Sequence, residues 1–406
     1  MLEKDRLDLE RPIFTRRQVL RVGGAALLFV PSAGAINALL AACGTGGTVG
    51  TGSTGRGPDP KAALSQLAAG KVFSTGPHGE QAASASEIQL TSDEIAKVKA
   101  MNATAAICLH YGGNDWSTAQ VEGQKARMAE LGINLLTVTD ANFQADKQVA
   151  DVETVLVRKP SIIISIPTDP VATAAAYKKA ADQGVKLVFM DNVPNGLTAG
   201  KDYVSDVSAD NYGNGVAAGY IMADVLNRSG KVGTVFHAAD FFVTKERYQG
   251  FKDTVTKNYP DINIVEEQGI SGPDFAGDAQ KAAAAMLTKH PDLQAIWAVW
   301  DVPAQGVMAA ARAASRQDLT VITEDLGLTA AVSIAAKGFI KGLGAQRPYD
   351  QGVTEVNCAA YGLLGKQAPA YVALPALPVT RDNVLQAWQT VYHAAAPGDL
   401  QAAFSK

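Results

Sequence analysis

Cysteine is nearly absent from this 406-residue chain, with only Cys43, Cys108 and Cys358. Three thiols cannot build the disulfide framework that staples a small secreted domain. Histidine is almost as scarce, at five, and no His/Cys cluster has metal-ligand spacing, so the sequence predicts no metal site. Charge of one sign is missing too: 36 basic against 40 acidic residues leave a formal charge of -4. With no basic stripe interleaved with aromatics, nothing points to a nucleic-acid partner. Catalytic signatures are also wanting. There is no nucleophile elbow, and no pair of carboxylates can be assigned from spacing. The glycines of "YGNGVAAGY" (212–220) suggest a dinucleotide fingerprint, but the apolar run at 231–237 closes on His237 with no acidic residue at the ribose-binding distance. Those glycines are expected to serve close helix packing instead. The chain reads as a protein without cofactor and not as an enzyme.

What is present begins with an address. "TRRQVLR" (15–21) leads into "VGGAALLFVPSAGAINALLAA" (22–42), the basic, apolar and small-residue order of an export signal. Arg16 and Arg17 form the pair read by the twin-arginine pathway. Pro31, Gly34 and Asn37 break the apolar run, which makes it a poor permanent membrane span. Leu40-Ala41-Ala42-Cys43 resembles the box of bacterial lipoproteins, which implies that Cys43 becomes the lipidated first residue of the mature chain. The Gly/Thr/Ser/Pro-rich stretch that follows can bury nothing, so it is expected to act as a flexible leash. The expected location is extracytoplasmic, tethered to the cell membrane. Of the other thiols, Cys108 falls in an expected strand and Cys358 in an expected helix; both read as buried, and spacing does not decide whether they pair.

The body alternates short apolar runs with amphipathic helices. The runs are 103–110, 133–139, 161–166, 185–191, 231–237, 294–300, 319–325 and 339–346. Such continuous apolar strands predict an α/β fold of parallel sheets covered on both faces. The strands are too many for one open sheet, so two doubly wound Rossmann-like lobes fit better. Between leash and body, residues 58–100 read as further leash and one helix starting at Thr91, with Glu94 completing a capping box.

Ligands of open parallel sheets sit beyond the carboxyl ends of the strands. Here those ends carry Asn114 and Trp116, Thr168 and Asp169, Asp191 and Asn192, Trp300 and Asp301, Glu324 and Asp325, and Gln346. Carboxylates and amides suit hydroxyl groups, and aromatic faces suit the C–H faces of a sugar ring. Asp169 reads as a helix cap, and Asn114 or Asp115 as the cap of the helix at 117–131. No helix follows Asp191 directly, which favours a ligand role. Trp297 belongs to the opposite sheet face and the core; His110 reads as a satisfied polar residue.

From about 103 to 393 the chain resembles the ribose-type periplasmic binding proteins of bacterial ABC importers. The resemblance rests on Asn114 and Trp116 after the first strand, "MDNVP" at Asp191-Asn192, and "SADN" (208–211). It continues with Arg247 in "TKERYQGF", Phe275 in "GPDFAGD", Asp325, and Gln346 in "AQRPYDQG". It implies the type I periplasmic-binding-protein fold, with an N-terminal lobe of 103–207 plus 347–376 and a C-terminal lobe of 208–346 plus 377–396. These follow a signal at 1–42, a linker at 43–60 and an extension at 61–102. It further implies a monomer that closes around a small neutral sugar or polyol and delivers it to an ABC permease. Asn114, Asp191, Asn192, Arg247, Asp325 and Gln346 would bind hydroxyls; Trp116, Phe275 and Trp300 would wall the site. Two departures stand out. Asn192 replaces the family's Arg, and Trp300 replaces its Asn, which argues for a ligand other than ribose. A sensor presenting its closed form to a membrane receptor would need the same body.

Overall fold

The computed structural model describes residues 57–68 and 70–406. The export signal and Cys43 lie outside the described residues. In chain order the strands are β1 (Ala83–Ser84), β2 (Thr104–Leu109), β3 (Asn134–Asp140), β4 (Ile162–Ser165), β5 (Lys186–Met190), β6 (Ser205–Ala209) and β7 (Gly230–His237). They continue with β8 (Ile262–Ile270), β9 (Ala295–Ala298), β10 (Thr320–Glu324), β11 (Ile340–Ala345), β12 (Tyr371–Leu374) and β13 (Leu377–Thr380). Two sheets result. One has seven parallel strands in the order β1-β12-β6-β5-β4-β2-β3. The other has six, β13-β11-β10-β9-β7-β8, parallel except for β13, which runs against β11.

The parallel order follows from burial on both faces. β4 (IIIS) and β10 (TVITE) have every residue buried, which an alternating, half-solvated strand could not tolerate. Helices Asp115–Glu130 and Pro348–Leu364 cover the first sheet; helices Asn211–Val225 and Phe242–Asn258 cover the second. The last pair explains the glycine pattern. A Cβ on Gly215 would lie 2.0 Å from the carbonyl oxygen of Arg247, and one on Gly250 would lie 2.1 Å from that of Tyr212. The two helix backbones therefore touch where only glycine fits. Trp297 is wholly buried and stacks on Phe251 and Tyr248.

The chain crosses between the sheets three times: from β6 into the helix at Asn211, from β11 into the helix at Pro348, and from β12 to β13. Both lobes are thus built from discontinuous segments. Cys108 and Cys358 are buried in the first lobe and form no disulfide among the described residues, and burial pushes both thiols up to about 12.

The stretch at 58–100 is more ordered than the sequence suggested. A helix already starts at Pro60 and runs to Leu67, capped by the Asp59 carboxylate. Ala83–Ser84 then adds an edge strand to the first sheet, and the expected helix follows at Ser92–Ala100 with Thr91 and Glu94 forming its capping box. Small, polar composition concealed an anchored segment because its partners lie more than a hundred residues away.

Candidate functional site

The carboxyl ends of the two sheets face one another across a cavity of about 70 Å³. The first lobe contributes His110, Tyr111, Asn114, Trp116, Phe143, Ile166 and Asp191. The second contributes His237, Phe241, Val243, Thr244, Arg247, Trp300, Asp301, Asp325 and Gln346.

Two aspartates occupy matching places. Asp191 follows β5 and Asp325 follows β10, and both adopt the left-handed backbone, at φ 63° and 64°. That conformation costs a non-glycine residue energy, and its repetition at the same point of both lobes marks a site under constraint. Each carboxylate is held from behind. Ser208 Oγ donates to Asp191 Oδ1 at 2.6 Å, and Gln351 Nε2 donates to the same oxygen at 3.3 Å. Asp325 receives Arg247 Nη1 at 3.0 Å on Oδ2 and Gln346 Nε2 at 2.9 Å on Oδ1. Arg247 is itself fixed by Nε donating to Asn211 Oδ1 at 3.0 Å. The polar groups are therefore preorganised before any ligand arrives.

Electrostatics differ between the partners. Burial pushes the Asp191 carboxyl up to about 6, against the pull of the Ser208 hydroxyl and the Arg247 charge. Asp301 is held well above the usual carboxylate range by its low-polarity surroundings, with Asp325 and Asp115 adding to the effect. Burial drives His110 down to about 3 and His237 down to about 4, so both rings are neutral at pH 7. One guanidinium thus serves three cavity-lining carboxylates, of which Asp301 is disposed to hold a proton while Asp191, at about 6, is mostly ionised at pH 7.

The remaining wall is aromatic. The His110 ring stacks on Phe241 of the other lobe with centroids 5.5 Å apart, and Phe143 meets His110 edge-on at 4.8 Å. Trp300 stands edge-on to His237 at 5.7 Å. Three polar atoms of the lining, His110 Nδ1, Trp116 Nε1 and Gln346 Oε1, are buried with no hydrogen-bond partner among the described residues. Together with the apolar faces they can receive a small ligand that carries both hydroxyls and C–H surface.

Seven of the nine residues singled out from sequence line the cavity: Asn114, Trp116, Asp191, Arg247, Trp300, Asp325 and Gln346. Two do not. Asn192 is turned away and donates through Nδ2 to the Pro167 carbonyl at 3.2 Å. Phe275 is 2 % exposed in the core of the second lobe, its ring edge-on to Trp300 at 4.9 Å, so it backs the wall instead of forming it. His110 turns out to line the cavity with an unpartnered nitrogen. Tyr111, Phe143, His237, Phe241 and Asp301 also line the cavity; Phe241 and Asp301 stand at the strand ends where a ligand is expected, but none of the five was assigned to the ligand from sequence. His110 directly follows β2 and His237 ends β7, and that similar position, at the end of an apolar run in each lobe, was the available signal. Asn114 both lines the cavity and caps its helix, accepting from Ser117 N at 2.8 Å. Asp169 accepts from Val171 N and Ala172 N in the turn that precedes the helix Ala174–Asp182; the N-cap of that helix is Thr173, so Asp169 caps the turn and not the helix.

Two Rossmann-like lobes meeting over a buried, preorganised polar cleft define a two-lobed solute-binding protein. Residues 105–367 match the model of the periplasmic binding protein domain, and the chain belongs to that family of binding proteins and is not an enzyme. It is 28% identical over 270 residues to the ribose import binding protein RbsB of Salmonella typhimurium, covering 66% of this chain and 87% of the relative. It is 26% identical over 254 residues to a D-apiose import binding protein of Actinobacillus succinogenes, covering 63% of this chain and 80% of that protein. Among solved structures, an ABC sugar transporter subunit from Rhodobacter sphaeroides aligns with a TM-score of 0.61 and 27% identity, over 69% of this chain and 99% of that one.

Proposed function

We propose that the protein captures a small neutral sugar or polyol by closure of its lobes and delivers it to the permease of an ABC importer. The observation that carries this reading is the matched pair Asp191 and Asp325, one per lobe, turned with Arg247 into a single aromatic-walled cavity. Carboxylates at the ends of equivalent strands accept hydroxyl hydrogen bonds from opposite faces of one ligand, so the ligand stabilises the closed form. Relatives named for ribose and D-apiose import support the same ligand class. Asn114, Asp191, Arg247, Asp325 and Gln346 hold hydroxyls, while Trp116 and Trp300 supply apolar contact. Asn192 and Phe275 act from behind. Without a second arginine in the cavity, and with Trp300 added to its wall, the ligand is a sugar or polyol other than ribose.

The chain is exported by the twin-arginine route and anchored through Cys43, an assignment that rests on Arg16, Arg17 and the Leu40–Cys43 box. Cys43→Ala should abolish lipid labelling and release the protein from the membrane fraction.

A thermal-shift panel of pentoses, hexoses, tetritols, pentitols and hexitols tests the ligand assignment. A ligand at a hundredfold its dissociation constant adds about 2.7 kcal/mol of stability, a plainly visible shift. A selective hit names the cargo class; a ribose dissociation constant below about 1 µM, a tight-binding free energy of about 8 kcal/mol, would remove the exclusion of ribose. A blank panel would favour the sensor reading of the same body.

A further inference from the structure

Residues 57–102 precede the matched family domain, yet they are bonded to both lobes and to the crossing between them. At one end, helix Pro60–Leu67 packs through Leu64 and Leu67 onto Val216 and Ala217 of the second lobe. Asp59 pairs with Arg228 at 3.0 Å, and Tyr259 Oη donates to the Pro58 carbonyl at 2.9 Å. At the other end the segment belongs to the first lobe. Ala83–Ser84 pairs with β12, Asn357 Nδ2 donates to the Ile88 carbonyl at 3.1 Å, and Tyr361 Oη to that of Gln89 at 2.8 Å.

Between these anchors it meets the hinge. Asp210 sits where β6 hands the chain to the second lobe, and its buried carboxylate accepts from Phe73 N and Ser74 N, each at 2.9 Å. The same carboxylate caps the following helix through Gly213 N, also at 2.9 Å, and Ser74 Oγ accepts from Tyr212 N at 3.0 Å. Any rotation of one lobe on the other must therefore deform residues 75–82 or break the contacts on either side of them.

We propose that residues 57–68 and 70–90 form a strap across the hinge that limits lobe opening and raises the population of the closed form before ligand binds. Binding affinity scales with the fraction of molecules already competent to bind, so the strap tunes affinity without touching the cavity. It also fixes the exit point of the preceding chain on the second lobe, beside Arg228 and Tyr259.

The test is to cut the strap in the intact protein. Gly79 lies in a turn with open space around it, so a protease recognition sequence inserted between Gly79 and Glu80 is cleavable with both lobes in place. Small-angle scattering without ligand is then compared before and after cleavage, with circular dichroism confirming unchanged secondary structure. The strap predicts a larger radius of gyration after cleavage. A second variant carrying a twelve-residue Gly/Ser spacer at the same point, never cleaved, should shift the same way by less. For any sugar that the panel identifies, the apparent dissociation constant should rise by about threefold or more on cleavage. Identical scattering curves before and after the cut, with the lobes folded, would overturn the proposal. Because scattering needs no ligand, that result would leave the sugar-binding reading standing.

Discussion

Asp191 concentrates the chemistry of the site in one side chain. Its carboxylate has two internal partners on Oδ1, and burial has already raised its pKa to about 6. Replacing it with Ala should cost about 2 kcal/mol or more of ligand binding, the range for charge-assisted hydrogen bonds lost from a buried site. Calorimetry measures it, and unchanged affinity would remove Asp191 from the site. The pH dependence follows with a definite sign. In the proposed reading ligand hydroxyls donate to the ionised carboxylate, and the ionised fraction falls tenfold per unit below the pKa. Affinity should therefore be flat above pH 7 and decline through pH 6 towards pH 5, by at most about 1.4 kcal/mol per unit. Asp191→Asn should bind weakly with no such slope. A wild-type affinity that stays constant down to pH 5 would mean that the ligand does not need the charge. The same balance of one guanidinium against Asp191, Asp301 and Asp325 disfavours acidic sugars, because Arg247, the one Lys or Arg among the described lining residues, is already paired with Asp325.

At the scale of the element, helix packing behind Arg247 decides where that guanidinium stands. Gly215 faces the backbone of the Phe242–Asn258 helix so closely that an added methyl would sit 2.0 Å from the Arg247 oxygen and 2.7 Å from the Phe251 nitrogen. Gly215→Ala should destabilise by about 2–3 kcal/mol, since rigid backbone must move to admit the carbon. It should also weaken binding by displacing Arg247. Gly398→Ala, at the start of a terminal helix with open space around it, serves as the control; equal denaturation midpoints for the two would refute the close contact. Elements like this pair were legible from sequence because the glycine spacing, the apolar strand runs and the polar strand ends are local patterns. β8 was not, since all of "INIVEEQGI" but its two end residues is exposed or half-exposed at the edge of its sheet. β1, β6, β12 and β13 escaped as well: β1 is two residues long, β6 (SDVSA) carries three polar residues, and β12 and β13 lie in a proline-punctuated stretch, so tertiary pairing makes them strands. Phe275 was misplaced for a related reason. Sequence assigns a ring to a helix start but not to one side or the other of Trp300, and here the indole took the inner position.

For the whole molecule the decisive contacts are those that join the lobes. Beside the cavity, the Asp115 carboxylate, at the start of a first-lobe helix, accepts from Leu328 N, at the start of a second-lobe helix, at 2.7 Å. A helix N-terminus favours an anion, and here a negative side chain from one lobe satisfies a free backbone donor of the other. Opening the cleft must break this bond, so it acts as a latch. It also has a cost, because Asp115 is one of the charges that hold Asp301 above the usual carboxylate range. Asp115→Ala removes both effects, and the hydrogen bond should dominate: a charge-assisted bond contributes about 1.5–3 kcal/mol, while the repulsion falls on a group already disposed to be neutral. Part of the bond's strength is recovered by water in the open form, which leaves an expected loss of affinity of about three- to tenfold, or roughly 0.6–1.4 kcal/mol. The loss should appear in the dissociation rate, because the latch forms after the ligand has entered. Asp115→Asn retains an acceptor oxygen and relieves the repulsion, so it should fall between wild type and Asp115→Ala. Stopped-flow measurement of both variants separates latch from charge. If Asp115→Ala instead tightened binding, repulsion on Asp301 would be the larger effect, and closure would rest on the ligand and the hinge alone.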